Sequence, residues 1–235
     1  MIDVDIRGIF NTSLIDYPGK IVSTIFFNRC NFRCPFCHNP ELALDKDQNN
    51  PIDTEKIIEH LIKRKKWLDG VCLTGGEPTL HKGLTEFIEN IKKEGFLVKL
   101  DTNGTNPSVL KALIKKKQLD YIAMDIKTNL EDYENVAKVR VNKKDIKKSI
   151  GLIQNSTIDY EFRTTIVPPY FNKDNLINIC EWLKESRLYV LQQFKNNTAM
   201  IDMTLSDVAP YPQKTIMEFK EIASKYFKNC EVRGI

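Results

Sequence analysis

Apolar runs of strand length recur along this chain, separated by helix-length amphipathic segments. Strands are predicted over residues 21–27, 71–74, 97–101, 121–127, 160–167 and 189–194, and helices over 54–68, 82–94, 107–116, 143–154 and 173–186. A last helix over 213–226 leads to a short tail strand, 231–233. Asp53 or Thr54 can cap a segment in which Ile57, Ile58, Leu61 and Ile62 return at helical spacing. Asn106-Pro107 is a cap followed by proline at the first helical position. The strands are rich in Val, Ile, Phe and Tyr, and several are apolar on both faces, as a helix-covered parallel sheet requires. Repeated strand–helix units with right-handed crossovers give an α/β fold. Six such units form an open, partial (β/α)6 barrel rather than a closed eight-fold one. The 235 residues suffice for one large core, and neither a Pro/Gly/Ser-rich linker nor an internal repeat divides them. A single domain over 1–235 is expected, with Trp67 in its core.

Charged residues make up 28% and hydrophobic residues 42%, ordinary for a soluble globular protein. A net charge of +4 is weak support for a polyanion partner. The basic runs 63–66 and 115–117 read as solvated helix faces, so nucleic acid is not an expected partner. The first residues lack the pattern of a signal peptide, and no apolar stretch reaches the length of a membrane span. The expectation is a reducing, cytoplasmic setting without a membrane.

Three of the six cysteines fall within eight residues, Cys30-Asn31-Phe32-Arg33-Cys34-Pro35-Phe36-Cys37, at spacing C-x3-C-x2-C. Three thiolates on one short loop can hold three corners of a cube-shaped iron–sulfur cluster. No fourth cysteine lies nearby, so the fourth iron would be open to a small molecule that takes up an electron. A Cys3His zinc site completed by His38 is the alternative. Cys72, Cys180 and Cys230 are far apart and read as small apolar residues.

The other unusual residues fall at the C-terminal ends of the strands, where α/β folds gather their chemistry. Thr74-Gly75-Gly76-Glu77-Pro78 follows the second strand and Asp101-Thr102-Asn103-Gly104 ends the third. Asp125-Ile126-Lys127 ends the fourth, Arg163 stands in the fifth and Gln192-Gln193 in the sixth. Paired glycines let a backbone approach a ligand closely. Glu77 can receive a ligand ammonium, and the planar fork of Arg163 suits a carboxylate. Asp101, Asp125 and Lys127 make a charged cluster at one opening, stable only if paired or holding a ligand. A zwitterionic amino acid needs both kinds of partner.

These motifs resemble those of the radical S-adenosylmethionine enzymes, and within them the glycyl-radical-enzyme activases. The likeness is strongest to the short activating proteins of anaerobic ribonucleoside-triphosphate reductase, with the pyruvate formate-lyase activases as relatives. It is carried by residues 12–19 (Thr-Ser-Leu-Ile-Asp-Tyr-Pro-Gly), 30–40 (ending Cys-His-Asn-Pro), 74–78, 101–104, 124–127 and 162–167. The resemblance implies that Cys30, Cys34 and Cys37 hold a [4Fe-4S] cluster and that Phe36 packs near the adenine of S-adenosylmethionine. It implies that Gly75, Gly76 and Glu77 engage the methionine amino group. Asp101, Thr102, Asp125 and Lys127 would surround the methionine and ribose, the two aspartates also able to hold a monovalent cation. Arg163 would contact the cofactor from the fifth strand. The implied activity is an oxidoreductase that makes a glycyl radical on a partner enzyme, fed electrons by flavodoxin or ferredoxin. The alternative is a radical enzyme acting on a small molecule or peptide, such as a modified-purine precursor. The segment after Cys37 reaches the first helix in about fifteen residues without a cysteine, so a second cluster is not expected.

Overall fold

In the computed structural model, which describes every residue except Met1 and Gln48, the strands pair in chain order. They are β1 (Ile6–Ser13), β2 (Val22–Phe27), β3 (Gly70–Gly75), β4 (Leu97–Thr102), β5 (Tyr121–Asp125), β6 (Asp159–Ile166), β7 (Leu188–Gln193) and β8 (Asn229–Arg233). β1 is antiparallel to β2, and every later pair is parallel. Among the described residues β1 and β8 each have one strand neighbour, so the sheet is a partial barrel, open between them. The helices are α1 (Pro40–Ala43), α2 (Thr54–Lys63), α3 (Leu84–Lys93), α4 (Pro107–Lys115), α5 (Tyr133–Ala137), α6 (Lys143–Gln154), α7 (Lys173–Leu183) and α8 (Gln213–Ala223).

Strand periodicity divides the sheet into two unlike faces. One carries Leu73, Leu100, Ile122 and Tyr160 in register, all buried in a core shared with Ile57 of α2, Phe87 of α3 and Leu110 of α4. Full burial of each such side chain contributes about 1.5–3 kcal/mol. The opposite, inner face carries Cys72, Lys99 and Tyr121 in register, then Ala123 with Glu161 and Asp125 with Arg163 further along. Tyr17, from the loop after β1, packs on Tyr121 with ring centroids 5.5 Å apart. Together with Val22 and Cys72 these rings form a small second cluster, backed by Leu97. That cluster plugs the inner face at the N-terminal ends of the strands, and the charged layer lies above it.

The structure adds β1 to the predicted elements. Its sequence, with Gly8 inside and an exposed second half, lacks the apolar density of a central strand, and it survives as an edge. α1 and α5, at 4 and 5 residues, are too short to show a helical period. The helix predicted over 54–68 stops at Lys63, where the Arg64 amide caps it. Trp67, expected in the core, therefore lies in the turn beyond and is 64% exposed. No helix among the described residues is long and apolar enough to cross a membrane.

His81 ties the N-terminal segment to the end of β2. The Asp5 amide donates to its Nδ1 at 3.1 Å, so the proton sits on Nε2, which donates to the Asn28 carbonyl at 2.9 Å. Burial holds this ring below the ordinary imidazole range, against the pull of the Asn28 carbonyl and Asp5. A base with a depressed folded pKa lends its full stability above its unfolded value, about 6.5, and loses it as pH falls toward the folded value. The melting temperature is expected to drop between pH 7.5 and pH 5.5. In His81→Asn, which takes up no proton, the drop is expected to be smaller when both are measured by thermal denaturation.

Candidate functional site

The cysteine loop leaves β2 at Phe27 and is fixed by backbone bonds to distant segments. The Arg29 amide donates to Leu42 at 2.9 Å, Arg33 to Ala137 at the end of α5 at 2.8 Å, and the Asp202 amide to Pro35 at 2.9 Å. The Arg33 guanidinium donates to the carbonyls of Cys30 and Phe32 at 2.6 and 2.7 Å, closing the loop on itself. The end of β3 presses against it. The amides of Gly76 and Glu77 donate to the carbonyls of Phe27 and Arg29, each at 2.8 Å.

This contact accounts for the glycine pair. Gly75 has φ +107°, and a Cβ there would meet the Phe27 carbonyl oxygen at 2.6 Å. A Cβ on Gly76 would run into the Arg29 carbonyl. The sequence reading gave these glycines to a ligand; in the structure their first task is the close approach of β3 to the cysteine loop. The Gly75 carbonyl also accepts from the Asn39 side chain at 3.1 Å.

Glu77 has a structural task as well. Its carboxylate is buried and accepts from the Thr79 amide, the Thr79 and Thr102 hydroxyls and the Asn103 amide, at 2.5 to 3.1 Å. It therefore holds the end of β4 against the end of β3, and it also lines the cavity that the thiols share. Burial raises its pKa above the usual carboxylate range, and these four donors oppose that.

The three thiols, Phe36, Gly75, Gly76, Glu77, Asp101, Thr102, Asp125, Lys127 and Arg163 all line one cavity of about 220 Å³ at the C-terminal ends of the strands. Two larger grooves, about 510 and 800 Å³, lie against α2 and α3 and against α4 and α6 and contain none of these residues. The thiol chemistry fits a cluster. Burial pushes Cys30 up to about 12 and Cys34 up to about 11, and raises Cys37, so a cluster seated here would have to displace their protons. No three Cys, His, Asp or Glu side chains among the described residues stand close enough to share one metal ion. Three thiols on one cavity suit a cube with its ligands on separate irons, and His38 lines the same cavity. The Asn103 amide approaches the Cys30 sulfur at 3.9 Å, an outer contact that sequence reasoning did not single out. Phe36 packs on Tyr170, centroids 6.2 Å apart, with the Lys138 ammonium over the far ring at 5.5 Å.

The charged layer is internally paired. Arg163 donates Nε to Asp125 at 2.7 Å and a terminal nitrogen to Asp101 at 3.3 Å. Lys127 reaches the other oxygen of Asp125 at 3.1 Å, and the buried Lys99 bonds Asp101. Burial alone would raise both aspartates; Arg163 and Lys127 beside Asp125, and Lys99 and Arg163 beside Asp101, outweigh it and hold both carboxyls below their ordinary range. Arg163, expected to meet a ligand carboxylate, is thus engaged by protein carboxylates and orients them. Lys99 was missed by sequence reasoning, and Glu161, noted beside Arg163 in the fifth strand, was given no role. Their signal was available as charges spaced by two, Lys99 with Asp101 and Glu161 with Arg163, which puts each pair on one strand face. Gly76→Ala is expected to destabilise the protein by about 1–3 kcal/mol, the cost of overpacking, and to lower iron bound per chain after reconstitution. Chemical denaturation and iron analysis check both.

Residues 24–183 match the family model described as the Radical SAM superfamily. A Methanocaldococcus jannaschii protein, assigned by inference as a glycyl-radical enzyme activating enzyme, is 34% identical over 98% of this chain and 96% of its own. The pyruvate formate-lyase-activating enzyme of Clostridium pasteurianum is 26% identical, with 77% of each chain covered. Among solved structures, SuiB of Streptococcus suis bound to S-adenosylmethionine superposes with a TM-score of 0.69 over 88% of this chain. At 15% identity that likeness shows the fold alone, and this chain spans 48% of SuiB's length. The chain belongs to the radical SAM superfamily, whose [4Fe-4S] cluster and S-adenosylmethionine are its cofactors, and over 98% of its residues it is similar to a protein assigned to the glycyl-radical enzyme activases.

Proposed function

We propose that this chain, acting as one domain over 1–235, is an activase that cleaves S-adenosylmethionine reductively and generates a glycyl radical on a partner enzyme. The partner we assign is anaerobic ribonucleoside-triphosphate reductase, the electron donor flavodoxin or ferredoxin, and the setting the cytoplasm. The observation that carries the reading is the convergence of three thiols and the strand-end residues on one cavity at the open end of the barrel.

Cys30, Cys34 and Cys37 would hold the cluster by three corners. When bound, the cluster and its cofactor together supply a carbon-centred radical able to take hydrogen from a glycine Cα. The chain's own residues bind, orient and exclude. Asp101 and Asp125, kept ionised by Lys99, Lys127 and Arg163, offer oxygens to the ammonium and hydroxyl groups of the cofactor. Phe36 offers a ring face to the adenine. The gap between β1 and β8 gives a partner's glycine loop a lateral way in, and fixed charges around the cavity take the place of water.

Replacing any one of Cys30, Cys34 or Cys37 by Ala is expected to abolish reductive cleavage of S-adenosylmethionine, followed as 5′-deoxyadenosine formed; cleavage retained in all three variants refutes the assignment. Replacing Cys72, Cys180 and Cys230 together is expected to leave iron content unchanged, and a loss of iron would reveal a missed ligand. The decisive experiment is electron paramagnetic resonance of a candidate partner incubated with this protein, reductant and cofactor. A doublet glycyl signal is the expected result. Cofactor cleavage with no such signal from any candidate would turn the assignment to a small-molecule or peptide substrate.

A further inference from the structure

Two arginines stand near one buried carboxylate. Glu161 of β6 is fully buried, and Arg233 of β8 donates to both its oxygens at 2.8 and 2.7 Å. The Tyr121 hydroxyl donates to one of them at 3.0 Å. Arg163 keeps Nε on Asp125 and one terminal nitrogen on Asp101, and its other terminal nitrogen stands 3.9 Å from Glu161, beyond hydrogen-bond reach. A bidentate arginine satisfies a carboxylate in both geometry and charge. While Arg233 holds that position, Arg163 has no reason to turn.

We propose that Arg233 is a positioning residue for the cofactor: by occupying Glu161 it keeps the fork of Arg163 on Asp101 and Asp125, and so sets those two aspartates for S-adenosylmethionine. This rests on the reading of the cavity as the S-adenosylmethionine site. Without Arg233, Glu161 becomes a buried anion short of donors, a costly state that the nearest cation relieves. That cation is Arg163. Its turn toward Glu161 would loosen its hold on Asp101 and Asp125, changing both the charge and the aim of the binding carboxylates. Arg233 itself lies on the last strand and is absent from the cavity lining, so its influence passes through Glu161 and Arg163.

The test is S-adenosylmethionine affinity by isothermal titration of the cluster-reconstituted protein, without reductant so that no turnover occurs. Arg233→Gln is expected to weaken binding about tenfold, the lower end of what loss of an outer partner costs at a ligand site, with iron content unchanged. Adding Glu161→Gln removes the carboxylate that would capture Arg163, and the double variant is expected to regain most of the affinity. A purely structural role for Arg233 gives no such rescue. Arg233→Lys, with fewer donors, is expected to fall between wild type and Arg233→Gln, and carries the comparison if the Gln variant does not hold its cluster. Unchanged affinity in Arg233→Gln, or a double variant no better than the single one, overturns the proposal. Asp125→Asn separates that failure from the failure of the site reading. If the wild type binds no S-adenosylmethionine, or Asp125→Asn binds it as tightly as wild type, the cavity itself is misassigned and the proposal falls with it.

Discussion

Charge buried on the inner face of the sheet has to be neutralised there, and the site is arranged around that need. Asp101, Asp125 and Glu161 are set against Lys99, Lys127, Arg163 and Arg233, while the fourth buried carboxylate, Glu77, is held by neutral donors. An isolated ion in this environment costs several kcal/mol, and even a good pair does little better than break even. Such a layer is therefore poor evidence for stability and better evidence for a ligand that needs fixed charges. Arg163 is its pivot, since it faces three of the four carboxylates.

The cysteine loop depends on a different constraint, the absence of side chains at Gly75 and Gly76. Strand β3 can lie against the Phe27–Arg29 carbonyls only because nothing intervenes. The same turn presents Glu77, whose carboxylate gathers the end of β4. One short segment thus fastens the loop that can hold iron to the strand that carries Asp101. The rigidity of the site comes from main-chain bonds between neighbouring strand ends rather than from the thiols themselves.

Much of this could be read from the amino-acid sequence. The strand–helix rhythm, the cysteine spacing and the clustering of odd residues at strand ends all rest on strong local signals. Lys99 and Arg233 escaped, and Glu161 went without a role, because strands that look apolar throughout were taken to bury both faces alike, whereas one face of this sheet is lined with charge. Glu77 and Arg163 were identified as site residues without their protein partners, since a sequence does not show which partner a buried charge has already taken. β1 and Trp67 were missed for a common reason: an edge strand and the end of a helix are decided by neighbours distant in the chain.

The plug formed by Tyr17 on Tyr121 also bears on traffic through the protein. It stops the barrel at the end away from the cysteine loop, so the chamber above is filled and emptied from its mouth and its open flank. Whatever lies deepest must arrive first and depart last. A small guest seated among the aspartates would be trapped for as long as a macromolecule covered both openings, and a second guest could be loaded only after that macromolecule withdrew. Order of events is in this way built into the shape of the vessel, without a moving part to enforce it.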